Sequence, residues 1–320
     1  MKIKDEDILK GDLRSLAKAI TLVESSKKEH QNLASSLLSN LLKKSTNTLR
    51  IGISGAPGVG KSTFIETLGL KLIKQGYKVA VLAVDPSSPL NGGSILGDKT
   101  RMEELSKNPK AFIRPSPTGG TLGGVALKTR ESLLFCEAAG FDIILVETVG
   151  VGQSEYEVES LVDFFMVLLQ PGAGDELQGI KRGILELADL IVINKADGDS
   201  KNLAMKSLNH YKEALKMIRP KGKWVPLALA LSSLNKSGFD QLQKAINSFW
   251  TETKETGELQ KKRNTQKLKW FEKSLYQELL NFIEDNPRTQ NALKVAKKEV
   301  LKDQLTPYQA VKKIINFIDS

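Results

Sequence analysis

The sequence predicts an α/β fold: a doubly wound, mostly parallel sheet domain over 47–253, with a helical segment ahead of it (1–46) and a helical extension behind it (254–320). Three observations carry that expectation. Seven short β-rich runs alternate with helical segments from Leu49 to Leu231. Several runs are apolar almost throughout, as parallel strands buried on both faces must be. Two loop motifs follow directly after such runs, at the carboxyl ends of strands, where open α/β sheets hold their ligands.

The elements follow in chain order. Asp12 to Leu42 reads as helical, with Leu13, Leu16, Ile20 and Val23, then Leu33, Leu37 and Leu41, at spacings of three or four. The polar run 43–47 reads as a linker. The strand candidates are 49–54, 79–84, 111–113, 142–146, 164–169, 190–193 and 225–231. After Thr253 the strands stop. Leu268, Phe271, Leu275, Leu279 and Phe282 form an amphipathic helical stripe. Thr306-Pro307-Tyr308-Gln309 is a helix start: a capping threonine, proline at the first helical position and glutamine three residues after the cap. Tyr308, Val311, Ile315 and Ile318 form the stripe that follows. These stripes fit packing on the main domain or on a second copy of the chain, and the sequence does not choose.

Composition narrows the function classes. The 320 residues hold one cysteine, Cys136, and two histidines, His30 and His210. That excludes an internal disulfide and leaves no Cys/His-rich metal centre. The N-terminus is charged and shows no signal peptide, and the apolar runs are too short to span a bilayer. The expectation is a cytoplasmic protein with no membrane association. Of the net charge of +10, half lies in 254–320, which carries fourteen Lys/Arg against nine Asp/Glu. Without aromatic–basic interleaving this reads as a solvated helix face, with no nucleic-acid partner.

Gly55-Ala56-Pro57-Gly58-Val59-Gly60-Lys61-Ser62 is a complete G-x-x-x-x-G-K-[ST] loop between the first strand and a helix that starts near Lys61. Its glycines let successive backbone N–H groups turn toward phosphates, and the helix N-terminus, Thr63 included, adds a favourable dipole. Lys61 is expected on the β- and γ-phosphates and the Ser62 hydroxyl on Mg²⁺.

Asn194-Lys195-Ala196-Asp197 follows the 190–193 strand and names the base. An Asp197 carboxylate accepts from guanine N1–H and the exocyclic amine; adenine would leave it buried and unpaired. Asn194 suits the N7 edge, and the Lys195 stem packs over the ring. Ser232-Ser233-Leu234, after the last strand, is the place for further backbone contacts to the base. The implied ligands are GTP and GDP.

Three acids stand where the γ-phosphate and Mg²⁺ belong: Asp85 at the end of the second strand, Asp98 in a loop, and Glu147 at the end of the fourth strand, opening Glu147-Thr148-Val149-Gly150. Ser62, Asp85, Asp98 and Glu147 are the candidate metal residues; Lys61, Asp98, Arg101 and Glu147 are the candidate catalytic ones. After Gly150, where fast GTPases place a water-orienting glutamine, this chain has Val151, with Gln153 two residues further on. Slow intrinsic hydrolysis is expected, accelerated by groups such as Asp98, Lys99 or Arg101, or by a partner. The segment 171–182, glycine-bearing and charged, suits either a nucleotide-sensitive switch or an ordinary strand-to-helix connection.

Longer strings carry a resemblance: Val84-Asp85-Pro86-Ser87-Ser88, Gly97-Asp98-Lys99-Thr100-Arg101-Met102, Ile113-Arg114-Pro115-Ser116-Pro117-Thr118, Gly120-Thr121-Leu122-Gly123-Gly124, Glu147 through Glu155, and Gly174 through Gly183. From about Gly11 to about Trp250 the chain resembles the MeaB family, GTPases that accompany methylmalonyl-CoA mutase, a family also labelled as ArgK-type lysine/arginine/ornithine transport kinases. The resemblance implies a P-loop GTPase of the SIMIBI class, homodimeric, often through a C-terminal helical arm. It implies a chaperone of a B12-dependent acyl-CoA mutase, with GTP gating adenosylcobalamin delivery and helping to protect or reactivate the mutase. It places Asp85 and Asp98 in a first switch, Glu147 at the start of a second, and 170–183 in a further switch facing the partner. Ser233-Leu234 departs from the commoner Ala-Arg-like continuation, which leaves backbone contacts to guanine intact.

Two other readings stay open at this point. One is a kinase or ATPase of an amino-acid transport system, against which Asp197 argues. The other is a metallochaperone GTPase, against which the isolated Cys136, His30 and His210 argue.

Overall fold

The computed structural model describes residues 3–41, 47–84, 102–115, 122–148, 154–172, 182–218, 220 and 222–318. Within them, seven strands form one sheet: β1 (Leu49–Gly55), β2 (Val79–Val84), β3 (Ala111–Arg114), β4 (Ile143–Thr148), β5 (Phe164–Leu169), β6 (Leu190–Ile193) and β7 (Leu227–Ala230). The order is β3-β2-β4-β1-β5-β6-β7, and the paired strands are parallel throughout. The chain builds outward from β1 on one side and then, after β4, on the other. β1 therefore sits at the reversal, where such sheets open a crevice at their carboxyl edge.

Burial of both faces explains the apolar runs. In β4, Ile144 and Val146 face one layer, while Ile143 and Leu145 face the other; in β5, Phe165, Val167 and Leu169 alternate with Phe164, Met166 and Leu168 in the same way. The N-terminal helices pack on the first face and helix Phe239–Glu255 on the second. Cys136 is buried in the first layer. Burial and the neighbouring Glu137 push its thiol up, away from thiolate chemistry.

The 12–42 segment is two helices, Leu13–Glu24 and Lys28–Leu41, preceded by a short one, Asp5–Leu9. Asp12 Oδ1 caps the first by accepting from the Ser15 N–H at 2.7 Å. Ser25 leaves it in an extended conformation, and its hydroxyl accepts from the Lys27 N–H at 3.2 Å, which breaks the run. In the second helix Ala34, Leu37, Leu38 and Leu41 are buried, whereas Leu33 is 44% exposed. The linker candidate 43–47 lies outside the described residues except for Asn47.

At the amino ends of β1 and β5, opposite the loop that follows β1, lies a cluster of buried charge. Asp163, fully buried, accepts from Arg263 Nε at 2.8 Å and Nη2 at 2.6 Å, and from the Arg50 N–H at 2.9 Å. Arg263 Nη2 also donates to the Thr48 carbonyl at 2.6 Å, and Arg50 Nε to Glu137 Oε1 at 2.6 Å. Burial disfavours the Arg263 charge, but its bonds to Asp163 and the charges of Asp163 and Glu137 hold its pKa above the ordinary value. Arg130, buried nearby, is lowered to about 10 by desolvation and by the charge of Arg50.

The chain divides into two compact units, 1–263 and 264–320. The second contains most of helix Glu258–Asp285 and two further helices, Pro287–Leu301 and Pro307–Ile318. The capping box at 306–309 is formed: Gln309 Oε1 accepts from the Thr306 N–H at 2.9 Å, and the Gln309 N–H donates to Thr306 Oγ1 at 3.3 Å. Ala310 and Ile314 pack with Ala296, so the expected stripe of Tyr308, Val311, Ile315 and Ile318 faces outward. Leu268, Phe271, Leu275, Leu279 and Phe282 are exposed too. No described helix is long and apolar enough to cross a membrane.

Removing one member of a buried ion pair costs about 3–5 kcal/mol. Arg263→Met is therefore expected to lower unfolding stability by about that amount, read from urea denaturation. A loss below about 0.5 kcal/mol, as for an exposed pair, would show that the cluster carries no such weight.

Candidate nucleotide-binding site

β1 delivers the chain into Gly55 at φ +154°, Gly58 at +79° and Gly60 at +95°, conformations that only glycine adopts without strain. Two of these positions are also crowded. A Cβ on Gly55 would lie 2.5 Å from the Leu168 carbonyl oxygen, and one on Gly60 would lie 2.8 Å from Asn194 Nδ2. Helix Lys61–Lys74 starts directly behind, so Ser62 and Thr63 occupy its first turn. Lys61 is buried, and its Nζ donates to the carbonyls of Gly55 at 2.7 Å and Ala56 at 3.2 Å. The ammonium thus lies against the loop's own backbone, within reach of anything the loop encloses. Ala56, Pro57 and Gly58 are exposed, whereas Val59 is buried and anchors the loop to the core.

The second loop is tied to the first. Asn194 is 1% exposed; its Nδ2 donates to the Val59 carbonyl at 2.9 Å, and its Oδ1 accepts from the Ser233 N–H at 3.1 Å and the Ser233 hydroxyl at 2.8 Å. Lys195, at φ +56°, donates from Nζ to the Gly58 carbonyl at 2.8 Å. The Ala196 N–H donates to the Leu231 carbonyl at 3.0 Å. The Ser232 hydroxyl donates to Asp197 Oδ2 and accepts from the Asn235 N–H at 3.0 Å. Asp197 is thereby held in one orientation beside Ser232, Ser233 and Leu234.

Sequence reasoning treated 232–234 as a source of backbone contacts and missed these side-chain roles. The signal was available: two hydroxyl residues directly after an apolar strand are well suited to fix a neighbouring amide and carboxylate.

At the acid positions, the structure places Glu147 at the carboxyl end of β4, in register with Ile53 of β1 and Ala83 of β2. It is 9% exposed, next to Thr148, whose hydroxyl bonds the Ser54 hydroxyl at 3.1 Å. Asp85, Asp98, Lys99 and Arg101 lie outside the described residues, as do Gly150, Val151 and Gln153 and the stretch 173–181. Among the described residues no group of three His, Cys, Asp or Glu side chains stands ready to hold a metal. The Tyr156 phenol oxygen lies against Gly183, so a Cβ there would push that side-chain tip aside. Arg114, at the end of β3, pairs with Glu24 of the N-terminal helices and donates to Thr21 Oγ1 at 3.1 Å.

A parallel sheet with this loop on its central strand, and a carboxylate-bearing loop joined to it two strands away, defines a P-loop GTPase. Comparison with known proteins agrees. Residues 16–288 match the family described as methylmalonyl Co-A mutase-associated GTPase MeaB, and the chain belongs to that family. It is 46% identical over 311 residues to GTPase ArgK of Escherichia coli (strain K12), covering 97% of this chain and 94% of that protein. It is 45% identical to the mitochondrial methylmalonic aciduria type A homolog of Mus musculus, covering 95% of this chain and 76% of that one. Among solved structures, one described as a LAO/AO transport system kinase superposes with a TM-score of 0.78 at 39% identity, over 99% of this chain and 96% of the other.

Asn194→Ala removes the partner of the Val59 carbonyl and of both Ser233 donors. The ligand-free protein is expected to lose about 2 kcal/mol of stability, and GDP affinity should fall with it. Denaturation without nucleotide checks this. A variant as stable as the parent, yet deficient in GDP binding, would show that Asn194 serves the ligand alone.

Proposed function

We propose that this protein is a GTP-hydrolysing chaperone of an adenosylcobalamin-dependent acyl-CoA mutase of the methylmalonyl-CoA type. In this reading it gates cofactor loading and protects or reactivates the mutase. It works in the cytoplasm, as a homodimer through its C-terminal helices. The family description and the name of the mouse relative support the choice of partner. The exposed apolar stripes of helix Glu258–Asp285, Leu268 to Phe282, and of helix Pro307–Ile318, Tyr308 to Ile318, support a second copy as what covers them.

The observation that carries the nucleotide reading is Asp197, oriented by Ser232 on a loop bonded through Asn194 to the phosphate loop. The N–H groups of Gly58 and Gly60 to Thr63 receive the phosphates; Pro57 has none to give, and the Val59 N–H donates to the Ala56 carbonyl at 3.3 Å. Lys61 exchanges the Gly55 and Ala56 carbonyls for phosphate oxygens. Asp197 accepts from guanine N1–H and the exocyclic amine. Ser62, with Asp85, Asp98 and Glu147, would hold Mg²⁺; when bound, the ion neutralises charge developing on the β- and γ-phosphate oxygens. Lys61, Asp98, Arg101 and Glu147 are the groups assigned to the hydrolytic step.

The transport reading draws on the words ArgK and LAO/AO transport system kinase attached to two relatives. Asp197 favours the guanine reading over it, since an ATP-dependent kinase has no use for a carboxylate aimed at a purine amine.

Two outcomes are expected. Asp197→Asn exchanges an acceptor for a donor where guanine carries its amine. Xanthosine diphosphate, with a carbonyl there, should then bind better than GDP; competition with labelled nucleotide reads this, and an unchanged preference would remove Asp197 from base recognition. Val151 in the place of a water-orienting glutamine should leave the purified protein with turnover well under about 1 per minute, rising when the mutase is added. Phosphate release that is fast without a partner would contradict this.

A further inference from the structure

Helix Lys61–Lys74 begins in the phosphate loop, and its second turn carries Thr67, 4% exposed. The Thr67 hydroxyl donates to the carbonyl oxygen of Ser233 at 3.2 Å, across 166 residues of sequence. A hydroxyl within a buried helix face is costly unless bonded, and here its bond goes to the loop beside Asp197. The consequence lies in the geometry of the peptide unit. No described peptide bond is cis, and in a trans unit the carbonyl and the following N–H point in opposite directions. With the Ser233 carbonyl held against the helix, the Leu234 N–H is directed away from it.

The neighbouring donors are already engaged. The Ser233 N–H donates to Asn194 Oδ1 at 3.1 Å and the Asn235 N–H to Ser232 Oγ at 3.0 Å. The Leu234 side chain is 77% exposed, so the 233–234 unit lies at the open rim of the loop. Ser232, on the same loop, fixes the Asp197 carboxylate.

We propose that Thr67 is a positioning residue for base discrimination: it sets the plane of the 233–234 peptide so that the Leu234 N–H donates to guanine O6. This rests on the guanine reading of the Asp197 loop. Thr67 itself does not touch the nucleotide. Adenine carries an amine at C6 and would oppose that N–H donor to donor, so the device rejects adenine at C6 while Asp197 rejects it at N1 and C2. It also links the two ends of the ligand, since the helix that holds the phosphates grips the loop that reads the base.

The test uses the full-length protein and three nucleotides: GDP, ADP and 6-thio-GDP, which keeps N1–H and the amine but weakens the acceptor at C6. Thr67→Val, which removes the hydroxyl at constant shape, is expected to weaken GDP binding about fivefold to tenfold while changing 6-thio-GDP by less than about twofold. Thr67→Ser, which keeps the hydroxyl, should retain the parent ratio of GDP to 6-thio-GDP. Should the valine variant fail to fold, Thr67→Ala removes the same hydroxyl and is read the same way. Equal weakening of GDP and 6-thio-GDP, or GDP binding untouched by loss of the hydroxyl, overturns the assignment while a parental preference for GDP over ADP leaves the guanine reading standing. A parent protein that binds ADP as tightly as GDP overturns both.

Discussion

The nucleotide site depends on a single buried amide. Asn194 connects the Val59 carbonyl of the phosphate loop to the N–H and hydroxyl of Ser233. At 1% exposure it has no water to fall back on, so each of its bonds is held at the cost of leaving a polar group unpaired. The bracket spans β1 and β6, which are not neighbours in the sheet, β5 lying between them. Gly60 is part of the same constraint, because any side chain there would displace the Asn194 amide. Lys195 on Gly58, Ser232 on Asp197 and Thr67 on Ser233 then extend the bracket outward. The loop after β1 and the loops after β6 and β7 are thereby joined by side-chain hydrogen bonds.

The opposite edge of the sheet carries a different kind of fixture. Asp163, Arg263, Arg50 and Glu137 are buried charges that satisfy one another at the amino ends of β1 and β5. Arg263 lies at the end of the first compact unit, within helix Glu258–Asp285, whose later turns belong to the second. Within the first unit, the start of this helix is therefore held by bidentate guanidinium–carboxylate bonding.

Much of this was legible in the sequence, and the boundary has physical causes. The seven strands could be read because burial on both faces makes runs such as Leu190 to Ile193 continuous and apolar. The phosphate and base loops could be read because their chemistry demands particular residues at fixed spacing. The break at Ser25 was not visible, since a serine hydroxyl competes for the backbone only when the local turn lets it. The outward face of helix Pro307–Ile318 was not visible either: Ala310 and Ile314 take the buried side beside Ala296, and Tyr308, Val311, Ile315 and Ile318 the exposed one. Thr67 and Asp163 stand outside every motif of the sequence. Their partners are 166 and 100 residues away, distances at which pattern carries no information. Asp85, Asp98 and Arg101, which the sequence singles out for the metal and the hydrolytic step, lie outside the described residues.

The most direct test of the bracket is hydrogen exchange in the presence of inorganic tripolyphosphate, a ligand with no base. If Asn194 joins the two loops, occupying 55–63 should slow amide exchange at 194–197 and 231–235 as well, although nothing touches them. Protection confined to the phosphate loop and the start of helix Lys61–Lys74 would contradict it.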